Sequence, residues 1–138
     1  MNSDEVAFLL NDFTDRVYEV THVLAVSADG LLVACNDGLS MAEADRLAAI
    51  ASGLVSLLNG AARALDAAPV ASNLTELNGG YMFSMSVSSG ASLLALASFD
   101  CDIGQVGHEL TSLIQKVGPT LSPSSRTLPP GRLQRSGS

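Results

Sequence analysis

Tryptophan is absent from this chain of 138 residues, and aromatic side chains make up only 4% of it. Stacking platforms for single-stranded nucleic acid, which need several exposed rings, are therefore not expected. Basic residues are scarce too: 7 Lys and Arg stand against 14 Asp and Glu, giving a net charge of −7 and an isoelectric point near 4.5. That is the wrong sign for neutralising phosphates, so no nucleic-acid partner is expected. The two cysteines, Cys35 and Cys101, belong to no Cys-x-x-Cys or Cys/His spacing, so neither a metal site nor a disulfide framework is expected.

Other absences narrow the reading further. Met1-Asn-Ser-Asp-Glu opens with acids where a secretory signal carries positive charge, so a cytoplasmic protein is expected. Residues 77–99 form a long uncharged run, but Asn78, Gly79, Gly80 and several serines interrupt it. These would be costly in lipid, so no membrane insertion is expected. The chain has no Gly-x-x-x-x-Gly-Lys-Ser/Thr phosphate loop, no Gly-x-Gly-x-x-Gly and no Gly-x-Ser-x-Gly elbow. The only imidazoles, His22 and His108, are far apart in sequence and adjoin no nucleophile motif. Cys101 precedes a helix start, where the positive end of the dipole can lower a thiol pKa, but no redox partner accompanies it. No catalytic residue, cofactor or metal is assigned, and enzymatic activity is not expected.

What is present is apolar aliphatic surface. Hydrophobic residues make up 47% of the chain, charged residues 15%, and mean hydropathy is +0.32, enough for one Leu/Val/Ala/Ile core. Charge is divided unevenly: residues 1–109 hold all 14 acids and only Arg16, Arg46 and Arg63, whereas 110–138 hold Lys116, Arg126, Arg132, Arg135 and no acid. A domain over 1–118 and a disordered basic Pro/Ser-rich tail over 119–138 are expected.

Along the chain, Ser3 followed by Asp4 and Glu5 caps a first helix with apolar residues from Val6 to Val20 at helical spacing. Residues 22–28 and 31–35 read as strands joined through Asp29-Gly30 as a two-residue turn. Ser40-Met-Ala-Glu43 is a capping box opening a long helix to about Leu65. Its inner stripe is read as Ala44, Leu47, Ala51, Leu54, Val55, Leu58, Ala62 and Leu65. On the other side Ala49, Gly53, Ser56 and Gly60 fall within roughly 60° of one another. Two interior glycines cost roughly 0.8 to 1 kcal/mol each relative to Ala, which close approach of another backbone would offset, so this stripe is read as a helix-packing surface. Strands follow at 71–77, 81–87 and 92–97, the middle one alternating Tyr81, Phe83, Met85, Val87 against Met82, Ser84, Ser86, Ser88. Asp102 caps a last helix that Gly118-Pro119 should stop.

This order of elements, with Val26-Ser-Ala-Asp-Gly-Leu-Leu-Val-Ala, Asp37-Gly-Leu, Glu43-Ala-Asp-Arg-Leu-Ala-Ala-Ile-Ala-Ser-Gly-Leu, Gly79-Gly-Tyr-Met-Phe and Gly90-Ala-Ser-Leu-Leu-Ala-Leu-Ala, resembles the Roadblock/dynein light chain family, notably its actinobacterial-type members. The resemblance spans about residues 5–117. It implies an α/β, profilin-like three-layer sandwich, with a five-stranded antiparallel sheet, the long helix on one face and the terminal helices on the other. It also implies homodimers in which long helices pack and third strands pair across a two-fold axis. On this sequence that assigns Ala49, Gly53, Ser56 and Gly60 to the helix contact, and the strand segment with Ser72, Leu74 and Glu76 to the strand contact. The Ser-rich Met82-Phe83-Ser84-Met85-Ser86 departs from the familiar pattern. Family members are non-enzymatic adaptors. The resemblance therefore implies a homodimeric signalling adaptor that binds a small Ras-like GTPase together with a sensor-kinase-like protein. Arg16, Arg46 and Arg63 read as solvated helix surface rather than an arginine finger, so any effect on the GTPase is expected to come from reshaping its loops. A ligand-sensing module, which would need an enclosed pocket, and a motor or transport scaffold are the alternatives.

Overall fold

Helix α1 (Ser3–Arg16) carries Asp4 and Glu5 at its positive end and Arg16 at its negative end, as the helix dipole favours. The computed structural model describes residues 3–87 and 90–121. After α1 come β1 (Val20–Val26), β2 (Leu32–Cys35), α2 (Met41–Ala64), β3 (Ser72–Leu77), β4 (Gly80–Ser86), β5 (Ser92–Ser98) and α3 (Ile103–Leu121). The five strands form one sheet in the order β2-β1-β5-β4-β3, with every neighbouring pair antiparallel.

Alternation along the strands divides the core into two layers. On one face Val23, Phe83, Leu93 and Ala95 meet Val6, Leu10 and Phe13 of α1 and Val106, Leu110 and Leu113 of α3. On the other, Leu24, Val26 and Leu94 meet Ala44, Ala48 and Ala51 of α2. This is the expected three-layer sandwich, and β4 divides as its sequence alternates: Tyr81, Phe83 and Met85 join the α1/α3 layer, while Met82 joins the α2 layer. The run over 77–99 supplies β4 and β5 rather than a spanning helix. Ser88, expected on this strand, lies outside the described residues.

Several local expectations change. Helix α1 ends at Arg16, and the Val20 assigned to it opens β1. The first hairpin is wider than a two-residue turn. Ser27 N donates to Leu31 O at 2.9 Å around Ala28-Asp29-Gly30, and Gly30 takes φ +84, the three-residue loop closed by a left-handed glycine. Helix α3 does not stop at Gly118-Pro119 but continues to Leu121. Pro119 loses only one hydrogen bond, in the last turn, while Leu121 is 1% exposed within the α1/α3 layer. Burying such a side chain contributes about 1.5 to 3 kcal/mol, enough to hold the turn. The folded body therefore runs past 118, and residues 122–138 of the expected tail lie outside the described residues.

Candidate interaction surface

Helix α2 shapes the surface. Its start is fixed locally: the Ser40 hydroxyl accepts from Glu43 N at 3.1 Å, and the Glu43 carboxylate accepts from Ser40 N at 3.1 Å. Those Ser40 hydrogen bonds hold the Glu43 carboxyl below the usual glutamate range. The helix ends in a reciprocal motif, with Asp66 N donating to Arg63 O at 3.1 Å and Ala67 N to Ala62 O at 2.7 Å. Asp66 occupies the left-handed position, at φ 58.

Between these caps the inner stripe differs from the one the sequence suggested. The fully buried residues of α2 are Ala44, Ala48 and Ala51. Leu54 and Leu58 are half-buried, and Leu65 is 78% exposed. The reason is geometric. Alanines let the helix axis approach the sheet, whereas leucines at those positions would hold it off. The 24 residues of α2 also span about 36 Å at 1.5 Å per residue, against about 23 Å for a seven-residue strand, so its second half overhangs the sheet.

Contacts on one flank orient the helix. Ser52 Oγ lies 3.1 Å from where a Cβ on Gly30 would stand, so this flank faces the β1–β2 hairpin. Asp45, on the same flank, acts on the Cys35 thiol of β2. At roughly 100° per residue, Leu47, Leu54, Leu58 and Leu65 fall on the opposite flank, toward β4 and β3, with Ile50 and Leu57 beside them. Leu57 is 77% exposed, and Ile50 is exposed as well. Helix α2 is long and apolar enough to cross a membrane by length and composition, yet only 11% of that apolar window is buried. Next to this leucine flank, β3 is an edge strand that pairs only with β4 among the described residues.

The residues expected at a dimer contact can now be placed. Ala49, Gly53 and Ser56 are exposed and Gly60 is half-buried. A Cβ on Gly53 or Gly60 would meet nothing within 4 Å, so the protomer itself gives no reason for either glycine. The stripe is turned about 150° around the helix from Leu47, Leu54, Leu58 and Leu65. Ser72, Leu74 and Glu76 are exposed on β3 and stand opposite Met85, Phe83 and Tyr81, on the α1/α3 side of the sheet. Sequence reasoning missed the leucine flank as surface, because residues recurring every three or four positions satisfy a buried and an exposed stripe equally.

The candidate chemical groups do not converge. His22 is half-buried against Gly38 on the α2 side, while His108 is exposed on α3, across the sheet. The Cys101 thiol is pushed up rather than down, by burial first and then by Glu19 and Asp100. Burial, Asp37 and Asp45 push the Cys35 thiol up as well. Among the described residues no three His, Cys, Asp or Glu side chains cluster as a metal site. Arg16 pairs with Asp12 at 3.1 Å and approaches Glu109 at 3.9 Å, whereas Arg46 and Arg63 on α2 make no ion pair among the described residues. The clefts beside α2 open to solvent.

The Roadblock/LC7 domain matches residues 7–97. A crystal structure of a Roadblock/LC7 domain from Streptomyces avermitilis is 33% identical, covers 83% of this chain and 96% of its own, and superposes with a TM-score of 0.78. MglB from Myxococcus xanthus is 15% identical, covering 86% of this chain and 89% of its own, with a TM-score of 0.78. A chain of the LokiProfilin1–rabbit actin complex is 10% identical, covering 87% of this chain and 98% of its own, with a TM-score of 0.60. The last two carry the fold alone. No curated protein matches the chain in sequence.

Proposed function

The chain belongs to the Roadblock/LC7 domain family, and from that premise we propose that it is a homodimeric signalling adaptor that binds and regulates a small Ras-like GTPase, in a complex with a sensor-kinase-like protein. The observation that carries the binding role is the apolar surface of α2, with Ile50 and Leu57 exposed, in a protomer whose β3 edge is unpaired among the described residues. An apolar helix face and an open strand edge are both surfaces that another chain completes. A second copy satisfies both at once: two α2 helices pack through Ile50, Leu54 and Leu57, and two β3 strands pair through the segment holding Ser72, Leu74 and Glu76. Ala49, Gly53, Ser56 and Gly60 border this contact, on the side facing away from β3.

The GTPase and the kinase-like protein come from the family resemblance. Among the described residues Arg46 and Arg63 are outside ion pairs, and both are exposed on α2. The mode we propose is regulation by reshaping the GTPase's own loops. The test uses the full chain and the Ras-like GTPase encoded nearest its gene. Light scattering is expected to give a dimer mass at micromolar concentration, and the dimer is expected to bind the GTPase in one nucleotide state and to change its turnover. Absence of association in both nucleotide states overturns the GTPase assignment. Turnover that vanishes on Arg46→Ala or Arg63→Ala overturns the loop-reshaping mode in favour of an arginine finger.

A further inference from the structure

On the hairpin side of α2, away from the leucine flank, the helix and the sheet leave a cleft of about 310 Å³. Ser27, Ser52, Ser56, Asn59, Arg63 and Ser92 supply its polar lining. Its floor is Ser92 of β5, which stands between Val26 and Ser86 in register and is 3% exposed. Among the described residues the Ser92 hydroxyl has no hydrogen-bond partner, which is costly for a buried polar group. Above it, Asn59 Oδ1 accepts from Val70 N at 2.9 Å, and the amide NH₂ has no acceptor among the described residues. At the mouth, Arg63 is the one charged residue of the lining and is outside every ion pair among the described residues. Asp29, which is outside the lining, accepts from the Ser27 hydroxyl.

The cleft therefore gathers donors that lack acceptors among the described residues: a buried hydroxyl, an amide NH₂ and a guanidinium, with the Ser52 and Ser56 hydroxyls beside them. We propose that this cleft binds a small oxyanion of the phosphate class, free or as a phosphate monoester, with Arg63 supplying the charge and Ser92 and Asn59 the orienting hydrogen bonds. A planar guanidinium with adjoining neutral donors is the arrangement that phosphate oxygens satisfy best. The Asp29 carboxylate and the carbonyl end of α2 oppose an anion here, so binding in the millimolar range is expected for bare phosphate.

The test is a titration of the full chain, followed by amide ¹H–¹⁵N spectra, with inorganic phosphate and with glycerol phosphate at constant ionic strength. Saturable shifts are expected at Ser27, Ser52, Gly90 and Ser92. Arg63→Gln should weaken binding about tenfold, equivalent to about 1.4 kcal/mol. Ser92→Ala should weaken it several-fold while leaving thermal stability unchanged or raised, because the hydroxyl it removes has no partner among the described residues. Tighter binding of glycerol phosphate assigns the site to a monoester, and equal binding assigns it to free phosphate. Absence of saturable shifts overturns the proposal. So do shifts that Arg63→Gln leaves intact, or a Ser92→Ala chain that is destabilised and binds as before.

Discussion

Single residues show how local and distant partners divide the work. Ser40 and Glu43 close a box within one helical turn, so their pairing was legible from spacing. Ser40→Ala is expected to lower stability by about 1 kcal/mol at neutral pH. Because folding lowers the Glu43 pKa, its contribution is complete above the ordinary glutamate value and fades as pH falls through the lowered folded value. Urea denaturation of both chains should therefore show their difference shrinking on acidification. Gly80 and Asp66 are cases whose partners sequence does not reveal. A Cβ on Gly80 would sit 2.4 Å from the Ala97 carbonyl oxygen of β5, whereas one on Gly79 would meet nothing within 4 Å. Thermal melts should thus find Gly80→Ala destabilised by about 2 to 3 kcal/mol and Gly79→Ala within about 0.5 kcal/mol of the parent. Asp66 holds the left-handed position after α2 at φ 58, where glycine is free of strain. Asp66→Gly should raise stability by about 1 kcal/mol. Asn36, 5% exposed, bonds Val23 N at 2.7 Å and Thr21 O at 3.2 Å, fastening the end of β1 to the residue after β2. These two partners lie 13 and 15 residues away, beyond any local pattern, while the same amide also donates to Asp37 O next to it.

Among the elements, α2 separates what periodicity can say from what it cannot. Its alanines and its leucines both recur at helical spacing, and only the fit to Leu24, Val26 and Leu94 decides that the alanines go in. The leucines are thereby displaced to a flank beside the β3 edge. Leu57→Glu, at an exposed position, is expected to leave the protomer's fold and circular dichroism unchanged and to shift the mass by light scattering from dimer to monomer. Ser56→Leu is the comparison, because Ser56 lies about 100° around the helix from Leu57 whereas Gly53 lies only about 40° away. If the small-residue stripe made the helix contact, Ser56→Leu would dissociate the dimer and Leu57→Glu would not, whereas the leucine flank predicts the reverse. Helix α3 shows the same limit in a smaller way, since Gly118-Pro119 reads as a stop until the burial of Leu121 is known.

For the whole molecule, the dimer we propose should show in its stability. The melting temperature is expected to rise with protein concentration, because mass action adds the association free energy to folding. A scanning calorimetry series over a hundredfold dilution checks this, and a concentration-independent transition would count against the dimer. The sequence by itself determined the layered architecture. Binary alternation in β4, three capped helices and turn glycines each act within a few residues, and together they admit few arrangements. The family was legible for the same reason, since its signatures are turns and small residues at fixed intervals. Only the tertiary structure decided which flank of α2 is surface, why Gly80 cannot carry a side chain, and that the Ser92 hydroxyl, the Asn59 amide and Arg63 meet in one cleft. Each of these depends on the distance between elements remote in sequence, and that distance is set by how closely the alanine face of α2 settles on the sheet.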